Sequence, residues 1–314
     1  MTQIRPLTQP LTRRPGELGV HSLDHFNFSV PNAEDARRFY SSFGLDLREE
    51  GGRLNLYTHG HPHRWGSIIE GPRKKLQFIS FGAFEDDLPR FRERLDALRI
   101  ERIDPPPGTQ SNGLWFRDPD GTPIEIRVAE KSSHESISSP GGIAGAPSCS
   151  SKPVVQPRRL AHILVFTRDI PKTMKFYGEV LGLRLSDRSG DMIAFMHAIH
   201  GSDHHVIAFV KAEGPGLHHL SWDVPSINHI GLGAMQMADK GFIAGWGLGR
   251  HVLGSNYFHY VRDPWGSYSE YSSDVDYIPV DHDWKSGDHP PEDSFYVWGP
   301  TPPPEFAINH EAVA

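Results

Sequence analysis

Apolar and polar positions along this chain change rhythm in a fixed order, and the order is met twice. In the later half, RRLAHILVFTRD is a β-rich apolar run, after which DIPKTMKFYGEVLGL carries Met174, Tyr177, Val180 and Leu181 at helical spacing. Asp169 followed by Ile170-Pro171 marks the helix start, because a carboxylate can cap free amides and an early proline loses no hydrogen bond there. MIAFMHAI and HVIAFVK then return to strand composition. A second unit begins at GLHHLSWDVP, passes through the helix-compatible INHIGLGAMQMADKG and ends in YFHYVRDPWGSYSEYSS, where DPWG reads as a tight turn between strands. DPDG at residues 118–121 reads the same way.

The earlier half repeats this plan. LDHFNFSVPNAEDARRFYSSFGL around His25 matches LAHILVFTRDIPKTMKFYGEVLGL around His162, and DPDGTPIEIRV around Glu125 matches DPWGSYSEYSSD around Glu270. An internal duplication of this length predicts two tandem domains of mixed α+β character, with two strand-helix-strand units in each. The boundaries are an N-terminal arm at 1–20, a structural domain at 21–130 and a linker at 131–157. A second domain follows at 158–273, and a tail at 274–314 that holds seven of the chain's 27 prolines. The linker is rich in Ser and Gly and nearly free of aromatics, as an interdomain tether is. The tail is expected to pack over a surface through Phe295, Tyr296 and Trp298.

Composition narrows the partners. A length of 314 residues suits two domains, and a formal net charge of −7 without long basic runs argues against nucleic acid and anionic membranes. Cys149 is the only cysteine, which excludes a disulfide framework and a thiolate cluster and fits a reducing cytoplasm. The first residues lack the apolar region of a signal peptide, and no apolar run approaches the ~18 residues of a membrane span. A small molecule is the expected ligand.

The two copies differ in chemistry. His162, His219 and Glu270 make a set of two imidazoles and one carboxylate, spaced 57 and 51 residues apart. In the first copy His25 and Glu125 remain, and Gln77 is placed opposite His219, with spacings of 52 and 48. An amide oxygen replaces imidazole poorly on a transition metal, so the second copy is read as chemical and the first as structural. Two histidines and one carboxylate on one face of an octahedral ion leave three positions open, the arrangement of non-haem ferrous oxygenases. His218 neighbours His219 and is expected to face the other side of its strand. The cluster His59, His61 and His63 lacks a carboxylate partner and regular spacing, so it reads as a polar loop.

Three more residues sharpen the pattern. His205 lies in SDHHVIAF, fourteen residues before His219; His251 follows a Gly-Arg turn; Tyr260 stands ten residues before Glu270. With these, the second half resembles the catalytic half of the type I extradiol catechol dioxygenases, of the vicinal oxygen chelate superfamily. The resemblance implies that each domain's two units are βαβββ modules forming a cupped, barrel-like mixed sheet with helices outside. It implies ferrous iron on His162, His219 and Glu270, with manganese as second choice, and O2 as co-substrate. A catechol-type diol would bind through both oxygens and be opened beside the diol to a muconic semialdehyde-type product. His205 would donate to bound oxygen and later act as acid, Tyr260 and His251 would hydrogen-bond the substrate oxygen, and Phe195 would wall the ring. Arg250 is a further candidate for the substrate pocket, and a homo-oligomer is expected. The competing readings are a glyoxalase-like isomerase or thiol-transferring enzyme sharing ligands between the copies, a 4-hydroxyphenylpyruvate-type dioxygenase with the same triad acting on a 2-oxo acid, another metal-dependent vicinal oxygen chelate enzyme, and a metal-free ligand-binding resistance protein.

Overall fold

Strands form where β-branched and aromatic residues fill short runs between turn residues, and the two halves obey that rule in parallel. The computed structural model describes residues 13–109, 111–132 and 148–312. Residues 1–12 of the expected arm and 133–147 of the expected linker lie outside the described residues. The first half holds β1 (Ser22–Val30), α1 (Ala33–Ser42), β2 (Asp46–Glu50), β3 (Arg53–Tyr57), β4 (Arg64–Glu70), β5 (Lys75–Ala83), α2 (Leu88–Ala97), β6 (Leu114–Arg117) and β7 (Pro123–Val128). The second half holds β8 (Arg159–Thr167), α3 (Ile170–Leu181), β9 (Arg184–Ser189), β10 (Ile193–His197), β11 (Ser202–Asp203), β12 (Ile207–Lys211), β13 (Gly216–Asp223), α4 (Ile227–Asp239), β14 (Gly245–His251), β15 (Tyr257–Arg262) and β16 (Tyr268–Ser273). The tail adds β17 (Tyr277–Ile278), β18 (Gly287–Asp288) and β19 (Tyr296–Trp298).

Two mixed sheets result, in the order β2-β3-β4-β1-β5-β7-β6 and β18-β9-β10-β12-β8-β13-β16-β15-β14-β19. Each is built on one antiparallel pair, β1 with β5 and β8 with β13. Every strand of those pairs has a parallel partner on its outer side, β4 and β7 in the first sheet and β12 and β16 in the second. The βαβββ order holds for three modules. In the module opened by β5 only two strands follow the helix, and a lone bridge from Arg102 to Phe116 marks the place of the third. Pro105, Pro106 and Pro107 lie in that segment and have no N–H to give a ladder.

Local chemistry sets the helix ends. Asp169 accepts from the Lys172 amide at 2.9 Å, and Gly182 closes α3 at φ +74°, a left-handed conformation that suits glycine. Both DPxG turns close as expected, through Gly121 N–H to Asp118 O at 3.0 Å and Gly266 N–H to Asp263 O at 3.2 Å.

The domains meet over a common core. The Phe43 and Tyr271 rings stack at 3.8 Å, and the Tyr271 hydroxyl donates to Phe43 O. The tail grips both edges of the second sheet through short pairings, β18 on β9 and β19 on β14. Its buried anchor is Phe306; of the residues expected to pack over a surface, Phe295 stacks on the Trp246 ring and Tyr296 meets its edge, while Trp298 is 42% exposed. Among the described residues no helix is long and apolar enough to cross a membrane.

Candidate metal and substrate site

Alternation along neighbouring strands brings the chemistry to one face of the second sheet. Taken in sheet order, Phe195 stands on β10, His205 just before β12, His162 on β8, His219 on β13, Glu270 on β16, Tyr260 on β15 and His251 on β14. Five consecutive strands and the segment leading into a sixth thus each contribute one side chain, and a seventh strand supplies the aromatic wall. Glu270 pairs directly across from Tyr260, and Ser221 pairs with both His162 and Glu270.

The predicted triad converges. His162 Nε2 lies 3.3 Å from His219 Nε2 and 3.3 Å from Glu270 Oε2, and His219 Nε2 lies 3.6 Å from the same oxygen. These separations suit neighbouring ligands of one ion whose bonds are about 2.0–2.2 Å. All three residues are buried, and Glu270 Oε2 has no hydrogen-bond partner among the described residues. Burial alone would push the Glu270 carboxyl up, but the His162 and His251 imidazoles beside it hold it below the usual carboxylate range. Burial drives His219 well below its ordinary value, so it offers a neutral nitrogen. The donor set therefore fits a divalent cation, and His162, His219 and Glu270 form a group able to hold one.

Two expectations about the neighbours of His219 need correction. His218 does not face away: a register shift between Leu217 and His219 breaks the alternation, and the two rings meet through Nδ1 atoms 2.8 Å apart. His218 also packs against Phe306 and lines the cavity. Gln77, in turn, is not the counterpart of His219. Ser80 pairs with His25 and Glu125 as Ser221 pairs with His162 and Glu270, which puts Phe78 at the place of His219 and Gln77 at that of His218. Gln77 instead donates to Ser29 Oγ at 2.9 Å.

The first-domain remnant is closed by its own bonds. His25 Nδ1 is held by Asp24 at 2.7 Å, and Glu125 accepts from Ser80 at 2.6 Å and from Ser111. Of the loop histidines, His63 contacts Asp24 O and the Trp65 ring, and His59 and His61 are exposed.

The other predicted residues surround the triad. His251 Nδ1 is 2.9 Å from the Phe295 carbonyl, which can only accept, so the proton sits on Nδ1. Burial pushes His251 down and keeps it neutral, and its Nε2 then accepts from the Tyr260 hydroxyl at 2.9 Å. Burial and the Glu270 charge raise the Tyr260 phenol well above its ordinary value, so it keeps its proton. The His205 ring lies 4.0 Å from that of His162 and 4.9 Å from that of Phe195. Arg250 does not line the cavity: its Nε donates to Ser255 O at 3.0 Å and its guanidinium lies over the Tyr257 ring.

The cavity over this face measures about 360 Å³, within the range of small-molecule sites. Leu164, Ile193, Phe195, Val210 and Leu253 wall it from the sheet side, and Phe295 and Phe306 of the tail roof it. Among the described residues no Asp, Glu, Lys or Arg side chain lines it. Sequence reasoning expected Phe295 to cover a surface without placing it at this cavity, and missed Phe306 and Asn256, the latter donating to Glu270 Oε1 at 3.2 Å and steadying the carboxylate. Nothing in the local sequence GSNY singles that asparagine out.

Comparison with known proteins agrees with this geometry. The family model for the Glyoxalase/Bleomycin resistance protein/Dioxygenase superfamily matches residues 22–126 and 159–271. Metapyrocatechase 2 of Cupriavidus necator is 46% identical over 299 residues, covering 93% of each chain. Two solved structures share the fold at lower identity. The Mn(II)-bound glyoxalase from Novosphingobium aromaticivorans has a TM-score of 0.75 at 24% identity, covering 93% of this chain and 95% of its own. An extradiol ring-cleaving dioxygenase from B. fuscum has a TM-score of 0.75 at 20% identity, covering 96% and 84%. The duplicated fold, the single intact triad and these likenesses together make the chain a member of the glyoxalase/bleomycin resistance/dioxygenase superfamily and, within it, of the extradiol dioxygenases.

Proposed function

We propose that the cavity of the second domain is where this extradiol dioxygenase takes up a catechol-type diol and O2, with ferrous iron held by His162, His219 and Glu270. The observation that carries the reading is the convergence of three donor atoms, 3.3 to 3.6 Å apart, with His162 and His219 lining an apolar cavity and Glu270 buried beside them. When bound, the metal would supply a meeting point for both diol oxygens and O2 and a route for electrons between them. Manganese is the second choice, since a neighbour of the same fold holds it.

The protein's own groups divide the remaining tasks. Tyr260 and His251 form one hydrogen-bonded pair beside the triad, placed to bind a substrate oxygen and to receive or return its proton. His205, on the opposite flank, is placed to hydrogen-bond O2 once its free ring nitrogen has taken a proton, and then to serve as acid as the ring opens. Phe195 and the tail aromatics exclude water and fit the face of a ring. With its ligand atoms drawn from one domain, this site differs from a shared-ligand, glyoxalase-like site.

The test is a colorimetric screen of diols with protein reconstituted anaerobically, in parallel, with Fe(II) and with Mn(II). A yellow ring-opened product with Fe(II) supports the reading. Product only with Mn(II) reassigns the metal, and none with either metal on any diol overturns the proposal.

A further inference from the structure

His205 is buried, is not one of the three candidate ligands, and is reached by a file of polar groups that the reaction has not yet used. Its Nδ1 lies 3.1 Å from Nδ1 of His204, whose ring is wholly buried. His204 Nε2 lies 2.8 Å from Asp187 Oδ2. Asp187 accepts in addition from the Gly287 amide at 2.7 Å and meets His289 Nε2 at 3.0 Å, both on the tail. Burial would raise the Asp187 carboxyl, but these hydrogen bonds outweigh it and hold it below the usual range. The His204 backbone is pinned too, its amide donating to Asp276 O at 2.6 Å.

The bonding roles follow in order. An ionised carboxylate only accepts, so His204 carries its proton on Nε2 and has a lone pair on Nδ1 when neutral. That lone pair requires the proton of His205 to sit on Nδ1, which leaves His205 Nε2 as the bare nitrogen. The same Nδ1 to Nδ1 approach recurs at His218 and His219, where it leaves Nε2 of the second histidine for the candidate metal. The chain thus uses one device twice, a His-His pair in which the first ring fixes the second.

We infer that Asp187 and His204 are positioning residues that set the tautomer and ring orientation of His205, so that its Nε2 is ready to receive a proton and deliver it to the reacting oxygen. The inference rests on the reading that His205 works on bound oxygen or substrate. Because Asp187 is also held by Gly287 and His289, the C-terminal tail is part of the support for this residue.

The direct test reads the tautomer. The full chain, labelled with ¹⁵N-histidine and loaded with diamagnetic Zn²⁺, is studied by two-bond ¹H–¹⁵N correlation, with His205 assigned by the signals lost in His205→Phe. Wild-type protein is expected to show His205 protonated on Nδ1. His204→Phe and Asp187→Asn should shift it toward the Nε2-protonated form. In the iron-loaded protein both variants should lower kcat about ten- to a hundredfold with KM little changed. His204→Gln, which keeps an acceptor, should recover part of the loss and guards against a folding defect in the phenylalanine variant. An unchanged His205 tautomer in both variants, or wild-type kcat in His204→Phe, overturns the inference. Failure of the underlying reading looks different: His205→Phe would then keep full turnover.

Discussion

Phe78 and His219 occupy the same place in the two halves of the molecule. Each stands two residues before the serine that pairs with both the histidine strand and the glutamate strand, and each ring centre lies 5.4 Å from that of its partner, His25 or His162. The first domain keeps the packing of the site and discards its chemistry. Phe78→Ala should therefore cost about 3–5 kcal/mol of stability, as buried aromatics do, without changing metal content. Gln77→Ala should change neither. Chemical denaturation and metal analysis of both variants check this.

Tyr260 keeps its proton and donates a hydrogen bond through it to His251. Tyr260→Phe preserves the ring packing against Trp246 and Phe306 and removes only the hydroxyl. Steady-state kinetics should show kcat reduced about a hundredfold with metal content intact. Loss of metal in this variant would mean that the hydroxyl serves the ligand set instead.

Three side chains, Lys74, Ser267 and Glu311, meet the backbone of Leu217 and couple the tail and the first domain to the strand of His219. The Glu311 carboxylate accepts from the Leu76 and Leu217 amides, each at 2.9 Å, and lies 3.7 Å from Lys74 Nζ. Lys74 is buried and also donates to Leu217 O. Glu311→Ala would leave that charge unpaired, at a cost of about 3–5 kcal/mol. A lower thermal midpoint together with weaker metal retention is expected, since Leu217 adjoins the irregularity that orients His219.

Acid should destabilise the fold through buried and half-buried histidines that are not candidate metal ligands. Burial lowers His21 and His259 to about 4 and His197 to about 3. Their folded values lie below the unfolded one of about 6.5. Above that pH both states are neutral and stability is flat. Below it the unfolded chain binds protons that the folded chain refuses, so stability falls down to about pH 4 for two of them and about 3 for the third. Each contributes a slope of about 1.4 kcal/mol per pH unit within its window. Urea denaturation between pH 7 and 4.5 measures this, and a flat profile would contradict it.

The duplication, the modules and the three convergent donors were legible because they repeat, and repetition survives loop insertions. Spacing alone sets Gln77 opposite His219, one residue out of register. The apolar-serine frame of Phe78-Ile79-Ser80 against His219-Leu220-Ser221 holds the signal that corrects it. His218 was misplaced for a different reason: alternation predicts opposite faces, and an irregular strand pairing is invisible in a single sequence. A guanidinium at Arg250 can meet a substrate carboxylate or brace the turn with equal ease on sequence grounds, and the backbone carbonyl of Ser255 claims it. The roof formed by Phe295 and Phe306 depends on where a proline-rich tail returns, which no local pattern encodes.

The most direct test of the whole account is the iron content and ring-opening activity of anaerobically purified protein set beside its His219→Ala and Glu270→Gln variants. The account predicts about one iron per chain after reconstitution, with ring-opened product, and loss of both in the variants while the first domain's His25 and Glu125 stay intact. Wild-type protein that takes up less than about a tenth of an equivalent, or variants that retain iron and turnover, would contradict it.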